Sequence, residues 1–215
     1  MRAINFIVLH CTAGSQSQTL QSIRTHWQRL GWRRPGYHRL IAADGTVHKL
    51  AEYSEVTNGV AGHNANSIHI SYIGGVVDGR PTDNRTRAQL NAMQKLVEES
   101  AKLFPTAAIV GHRDFSPDKN RDGIITADEW IKACPSFSVK EWLDLIGFKA
   151  KGKRFARTVS VANMRSGPGT SHATVSAPLP AGALVEVLAN AGEWQLVKIR
   201  NSTGWIFSQL LTEQI

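Results

Sequence analysis

Two histidines and a cysteine from three separated segments stand out for what they could do together. His10 closes the apolar run "INFIVLH", His112 follows "AAIVG", and Cys134 ends "IKAC". In a strand starting at Ile4, the side chains of Ile4, Phe6, Val8 and His10 share one face while Cys11 points to the other, so His10 falls at the strand end. Two imidazoles and one thiolate match an open zinc site, where three protein ligands leave the fourth position to water; structural zinc sites use four. Lys132 stands two residues before Cys134 and in an extended segment faces the same way. The residue types alone leave a plainer reading open. A strand-end histidine is more often a hydrogen-bonded side chain, and a single cysteine a small buried apolar one.

Between His112 and Cys134 runs "DKNRDGIITADE", residues 118–129, which matches the EF-hand pattern. Asp118, Asn120 and Asp122 take its first, third and fifth positions, Gly123 the turn, Ile124 offers its carbonyl, Thr126 is ninth and Glu129 twelfth. The expectation is a structural calcium ion held by Asp118, Asn120, Asp122, Ile124 and Glu129, hard oxygen ligands that do not compete for the softer site. A competing reading makes Thr126 and Glu129 a capping box for a helix "ADEWIKA", after a plain polar turn from Asp118 to Gly123.

The elements that must position these groups are legible as patterns. "INFIVLH", "SIHISYIGGVV" and "AAIVG" read as buried strands, and "YHRLIAADGTVHKL" as two strands about an Asp44-Gly45 turn. "QTLQSIRTHWQRLGW" puts Leu20, Ile23, Trp27 and Leu30 on one helical face; "TRAQLNAMQKLVEESAKLF" does so with Leu90, Met93, Val97 and Ala101 behind a Thr86/Gln89 capping box. "SVKEWLDLIGF" opens with a Ser138/Glu141 box. Residues 1–148 are therefore an α/β domain with a central sheet. Residues 149–156, within the basic "FKAKGKRFAR", read as a linker. From residue 157 to 215 helical periodicity vanishes, and short β-type runs cut by Gly and Pro turns predict a small barrel of about five strands.

Composition excludes several classes. At 215 residues, 42% hydrophobic and 20% charged, the chain is globular material rather than disordered. It has no apolar run long enough to span a membrane, and its first apolar run starts too soon after Met1 for a signal peptide, so the expectation is a protein made in the cytoplasm. Two cysteines make no disulfide framework, although a Cys11–Cys134 disulfide would remove the zinc reading. From Lys149 onward there are eight Lys/Arg against three Asp/Glu, which favours anionic company. A nucleic-acid role has only net charge behind it, without aromatics interleaved in a basic stripe. A monomer is expected.

The motifs "VLHCTAG", "GYHRLIAADGTVHKL", "AGHNANSIHISYIGG", "GHRDF" and "KACPSF" resemble, in order and context, the zinc N-acetylmuramoyl-L-alanine amidases of type 2, a family that includes phage amidase endolysins and the peptidoglycan recognition proteins. The resemblance covers roughly Arg2 to Phe148. It implies a central mixed sheet flanked by helices, with His10, His112 and Cys134 as zinc ligands, Tyr37 and Lys132 at the catalytic positions, and His63 lining the substrate groove. It also implies hydrolysis of the amide joining the lactyl group of N-acetylmuramic acid to L-alanine of the stem peptide. The residue types suit that chemistry. Such a zinc brings the pKa of its water from 15.7 toward roughly 7, an ammonium like that of Lys132 suits a developing oxyanion, and a hydroxyl like that of Tyr37 can orient water or relay a proton. The family's compact phage members have a shorter path from the second histidine to the cysteine, so the 118–129 loop looks like an insertion.

The tail segments "NMRSGPGTSH", "LPAGALVEVL" and "GEWQLVKIRNSTGWIFSQLL" resemble the bacterial SH3-like domain over about Arg157 to Leu211, which implies targeting to the cell wall and attraction to anionic envelope polymers. Trp194 and Trp205 serve there either in binding or in the core. Two other readings compete with an endolysin-like amidase. One is a non-catalytic peptidoglycan-binding recognition protein, disfavoured because Cys134, both histidines and Tyr37 are present. The other is a metal-free Cys/His peptidase using Cys134 and His112. That reading leaves His10 and Lys132 unexplained.

Overall fold

The computed structural model describes residues 2–120, 125–148, 154–200 and 202–214. The chain divides into two compact units, residues 1–116 with 131–152 and residues 117–130 with 153–215. The first unit contains, in order, β1 (Phe6–Cys11), α1 (Leu20–Arg29), β2 (Arg39–Ile41), β3 (Val47–Lys49), β4 (Ser67–Tyr72), β5 (Val76–Val77), β6 (Arg80–Pro81), α2 (Arg87–Leu103), β7 (Ala108–Gly111) and α3 (Val139–Leu145). Its five-stranded sheet runs β3-β2-β4-β1-β7. β1 pairs in parallel with β4 and β7, β4 with β2, and only β3 runs antiparallel, across the Asp44-Gly45 turn. The pattern predicts a central sheet, and its mixed pairing is what the resemblance implies.

The helices start where side chains can absorb unpaired N–H groups. Thr19 caps α1 with Ser22, and Thr86 caps α2 with Gln89 in reciprocal boxes. Ser138 accepts the Glu141 N–H at the start of α3. Ile23 and Trp27 of α1 are buried as predicted, whereas Leu30, which caps the helix end, is 52% exposed.

Alternation along β1 sorts its side chains onto two faces. Ile7, Leu9 and Cys11 join Ile68, Ile70 and Tyr72 of β4 in a core packed on Met93, Leu96 and Val97 of α2 and Val139, Trp142 and Leu143 of α3. Phe6 and Val8 turn the other way, toward Val60, Val110 and Phe115, and His10 continues that face. Leu40 of β2 packs on the same side against Ile23 and Trp27 of α1.

The second unit is all-β: β8 (Arg154–Thr158), β9 (Leu184–Ala191), β10 (Trp194–Ile199), β11 (Ser202–Phe207) and β12 (Leu211–Gln214), in the order β11-β10-β9-β8-β12. Every pairing is antiparallel. Ala156, Met164, Val185, Val187, Val197 and Ile206 form its core. Trp194 packs on Phe207 at 5.6 Å, and both Trp194 and Trp205 are only half-buried.

One local expectation and one competing reading are corrected. Arg154 to Ala156, read as linker, are already strand, because their backbone pairs with β9 and Ala156 is fully buried; residues 149–153 lie outside the described residues. The helix over "ADEWIKA" does not form. Residues 127–129 make a turn, and the Ile131 N–H is taken by Ser116 Oγ at 3.0 Å instead of by the carbonyl one helical turn back.

Candidate metal centre

Parallel pairing of β1 with β7 carries the ends of these two strands to the same edge of the sheet. His10 lies in the last turn of pleat of β1, and His112 is the first residue after β7, opening a short 3-10 turn, His112–Phe115. The Asp114 carboxylate caps that turn by accepting the Gly111 N–H at 2.7 Å. Gly111 itself admits no side chain, since a Cβ there would come within 2.8 Å of Pro135. The cysteine segment is pinned from three sides. Arg113 N–H donates to the Cys134 carbonyl at 2.8 Å, Tyr72 hydroxyl to the Pro135 carbonyl at 3.0 Å, and Ser136 hydroxyl to the Gly75 carbonyl at 2.9 Å.

The result brings together the predicted trio. His10 Nδ1 lies 3.2 Å from His112 Nδ1 and 3.7 Å from Cys134 Sγ, and the ligand atoms are all within 4.8 Å of one another. No other such group of three occurs among the described residues. A tetrahedral zinc with bonds of about 2.0–2.1 Å to nitrogen and 2.3 Å to sulfur sets nitrogens about 3.3 Å apart and nitrogen from sulfur about 3.6 Å apart. The two spacings from His10 Nδ1 fit. Cys11 N–H donates to Cys134 Sγ at 3.3 Å, a contact suited to a thiolate. Both cysteines are free and buried.

Protonation states agree with a ligand role. Burial, then the charges of His69, His112 and Lys132, hold His10 well below its ordinary pKa; burial and Lys132 bring His112 down to about 4. Both imidazoles are neutral at pH 7, as a ligand must be. Burial pushes the Cys134 thiol well up, so a metal there has to displace its proton.

The remaining predicted residues gather around the trio. The Tyr37 ring lies 5.2 Å from that of His10, and its hydroxyl donates to the Cys11 carbonyl at 3.4 Å. Burial raises its pKa, so it stays a phenol. Lys132 is exposed and lines a groove of ≈ 440 Å³ together with His112, His63, Phe115 and Trp32. His63 packs against Phe115 at 4.5 Å on the groove wall.

Among the described residues, the EF-hand residues do not converge in this way. Glu129 is buried and its carboxylate is occupied by N–H groups, those of Lys119 at 2.7 Å, Asn120 at 3.2 Å and Thr126 at 2.9 Å, so it caps a turn. The geometry of Glu129 follows the capping reading, without the helix. Asp122 and Ile124 lie outside the described residues, and Asp118 and Asn120 join no metal-holding group among the described residues.

Sequence reasoning does not single out His69. His69 Nδ1 stands 3.0 Å from His10 Nε2, in the interior of β4. Alternation puts His69 on the face of Ser67 and Ser71; what could not be read is the parallel register, Val8 opposite His69, that brings this face to His10.

With this geometry in hand, comparisons with known proteins converge on one family. Residues 1–125 match the family model described as N-acetylmuramoyl-L-alanine amidase, and residues 160–212 match a bacterial SH3 domain. An uncharacterized protein of Haemophilus influenzae is 44% identical over 102 residues, covering 47% of this chain and 88% of that one. The endolysin of Klebsiella phage KP32 is 32% identical over 139 residues, 63% of this chain and 83% of its own. Among solved structures, the Ph2119 endolysin from a Thermus scotoductus bacteriophage superposes with a TM-score of 0.52 at 26% identity, over 67% of this chain and 85% of its own.

Proposed function

Because the chain belongs to the N-acetylmuramoyl-L-alanine amidase family, we propose that it hydrolyses the peptidoglycan amide between the lactyl group of N-acetylmuramic acid and L-alanine, as an endolysin, with zinc held by His10, His112 and Cys134. The observation that carries the metal assignment is the match of the 3.2 and 3.7 Å spacings to tetrahedral zinc. A zinc ion there supplies Lewis acidity that makes water nucleophilic near neutral pH and polarises the scissile carbonyl. The chain's own side chains do the rest. Lys132, exposed at the groove beside His112, offers its ammonium to the oxygen that gains charge as the amide carbonyl becomes tetrahedral. Tyr37, a neutral phenol whose ring lies beside His10, orients the attacking water by hydrogen bonding. His63 and Phe115 present an aromatic wall on which the substrate rests.

The domain division follows the same reading: an amidase domain, then an SH3-like domain that holds the enzyme to the wall. Matching of residues 160–212 to bacterial SH3 domains supports it, as does the excess of Lys/Arg after Lys149. No part of this mechanism needs calcium in the 118–129 loop.

The test is the metal content and activity of wild type and Cys134→Ser. One zinc per wild-type chain, lost in the variant along with release of L-alanine-linked stem peptides from muropeptides, is expected. Cleavage by Cys134→Ser at the wild-type rate overturns the mechanism.

A further inference from the structure

The trio, which holds two imidazoles, has a third imidazole behind it. His10 is 1% exposed, and of its two ring nitrogens Nδ1 faces His112 and Cys134 while Nε2 faces His69 Nδ1 at 3.0 Å. A neutral imidazole carries one proton and one lone pair, and the nitrogen that ligates a metal must be the bare one. Which nitrogen is bare depends on the bond the other makes. We propose that His69 is a positioning residue for His10: its Nδ1 accepts the His10 Nε2–H, which fixes the tautomer and ring plane that leave the His10 Nδ1 lone pair facing His112 and Cys134. The inference rests on the zinc reading above.

His69 is held for this task. It is fully buried in β4, between β2 and β1. Its backbone N–H donates to His38 Nδ1 at 3.0 Å, and the His38 ring stacks on its own at 5.9 Å and 21°. On another side the ring lies against bare backbone, since a Cβ on Gly59 would fall 2.3 Å from it. A glycine at position 59 is what makes room for the imidazole. Its Nε2 is buried and has no hydrogen-bond partner among the described residues, so His10 is the one group there that sets the His69 tautomer. When the His10 Nε2–H donates, His69 accepts at Nδ1 and carries its own proton on that unpartnered Nε2.

The chemistry of the partner matters as well. Outer ligands of metal-bound histidines are commonly carboxylates or carbonyls. A neutral imidazole orients His10 equally well but adds no negative charge to a buried site that already holds a thiolate. Two neutral imidazoles, one thiolate and a dication keep a net positive charge, which preserves the pull on a carbonyl oxygen.

The test compares zinc affinity, by competition with a chromophoric chelator, for wild type, His69→Phe and His69→Asn. The Asn amide oxygen can occupy the place of Nδ1 and accept the same proton. His69→Phe is expected to bind zinc 10–100-fold more weakly, and His69→Asn to recover most of the loss, with the thermal midpoints of both metal-free variants measured alongside. Equal zinc affinity in His69→Phe and wild type, or no recovery in a folded His69→Asn, overturns the proposal. Should His69→Phe fail to fold, imidazole nitrogen NMR of zinc-loaded wild type decides: His10 protonated at Nε2, with that proton shared with His69, is required, and a His10 protonated at Nδ1 refutes it. A wild type that binds no zinc instead removes the underlying metal reading, a distinct result.

Discussion

The two faces of the first unit's sheet are built from the same strands and do opposite work. β4 shows it best. Its sequence Ser67-Ile68-His69-Ile70-Ser71-Tyr72 alternates polar and apolar, the pattern of a strand with one face in water, yet every residue is buried. Ile68, Ile70 and Tyr72 meet α2 and α3, where removal of apolar surface from water, about 1.5–3 kcal/mol for each large side chain, stabilises the fold. On the other face, with His10 of β1, lie Ser67, His69 and Ser71, whose burial costs free energy unless partners are found. There the imidazoles find one another. Alternation in this strand separates stability from chemistry rather than core from solvent.

That division predicts which property each substitution moves. Lys132→Met, at the rim of the chemical face, should lower kcat by about 10²–10³-fold, as for loss of an oxyanion donor, while zinc content and melting stay unchanged because the side chain is exposed. Across the sheet, Ile70→Ala should cost about 2–5 kcal/mol of stability by leaving a cavity, measured by chemical denaturation, with activity per folded molecule retained; a fold-neutral but inactive Ile70→Ala would break the comparison. Acid should strike the chemical face first. Burial depresses His38 and His112 to about 4 and His69 to about 3, so below an unfolded-state pKa of about 6.5 the unfolded chain takes up protons that the native one refuses. Stability of the metal-free protein is therefore complete above about pH 6.5 and falls progressively toward pH 4, read as a declining denaturation midpoint. The smallest effect belongs to the apolar side's scaffolding. Thr86→Ala, removing the hydroxyl that accepts the Gln89 N–H at 3.1 Å, should cost about 1 kcal/mol and leave zinc binding alone.

Much of this was legible because local rules and global fold agree. The α1 and α2 faces, the Thr86/Gln89 box, the Asp44-Gly45 hairpin and the strand-end placement of His10 and His112 follow from periodicity and turn chemistry, and the five quoted motifs pointed to the trio. What escaped depends on register and on competition for hydrogen bonds. His69 went unnoticed because its tie to His10 arises from parallel pairing of strands about sixty residues apart, which no local pattern encodes. The "ADEWIKA" helix failed because Ser116 captures the Ile131 N–H and the Glu129 carboxylate turns back onto Lys119 and Asn120, partners outside the segment's own window.

The sheet order has a consequence in time. β1 is made first but sits between β4 and β7, and the sulfur that completes the trio follows His10 by 124 residues. At about 5–20 residues per second, a ribosome needs roughly 6–25 s to travel from one to the other. Until then the growing chain can offer imidazoles but no thiol from Cys134, and any fragment released early lacks that sulfur. On the zinc chemistry proposed above, the position of Cys134 late in the unit delays metal binding until that unit is nearly complete.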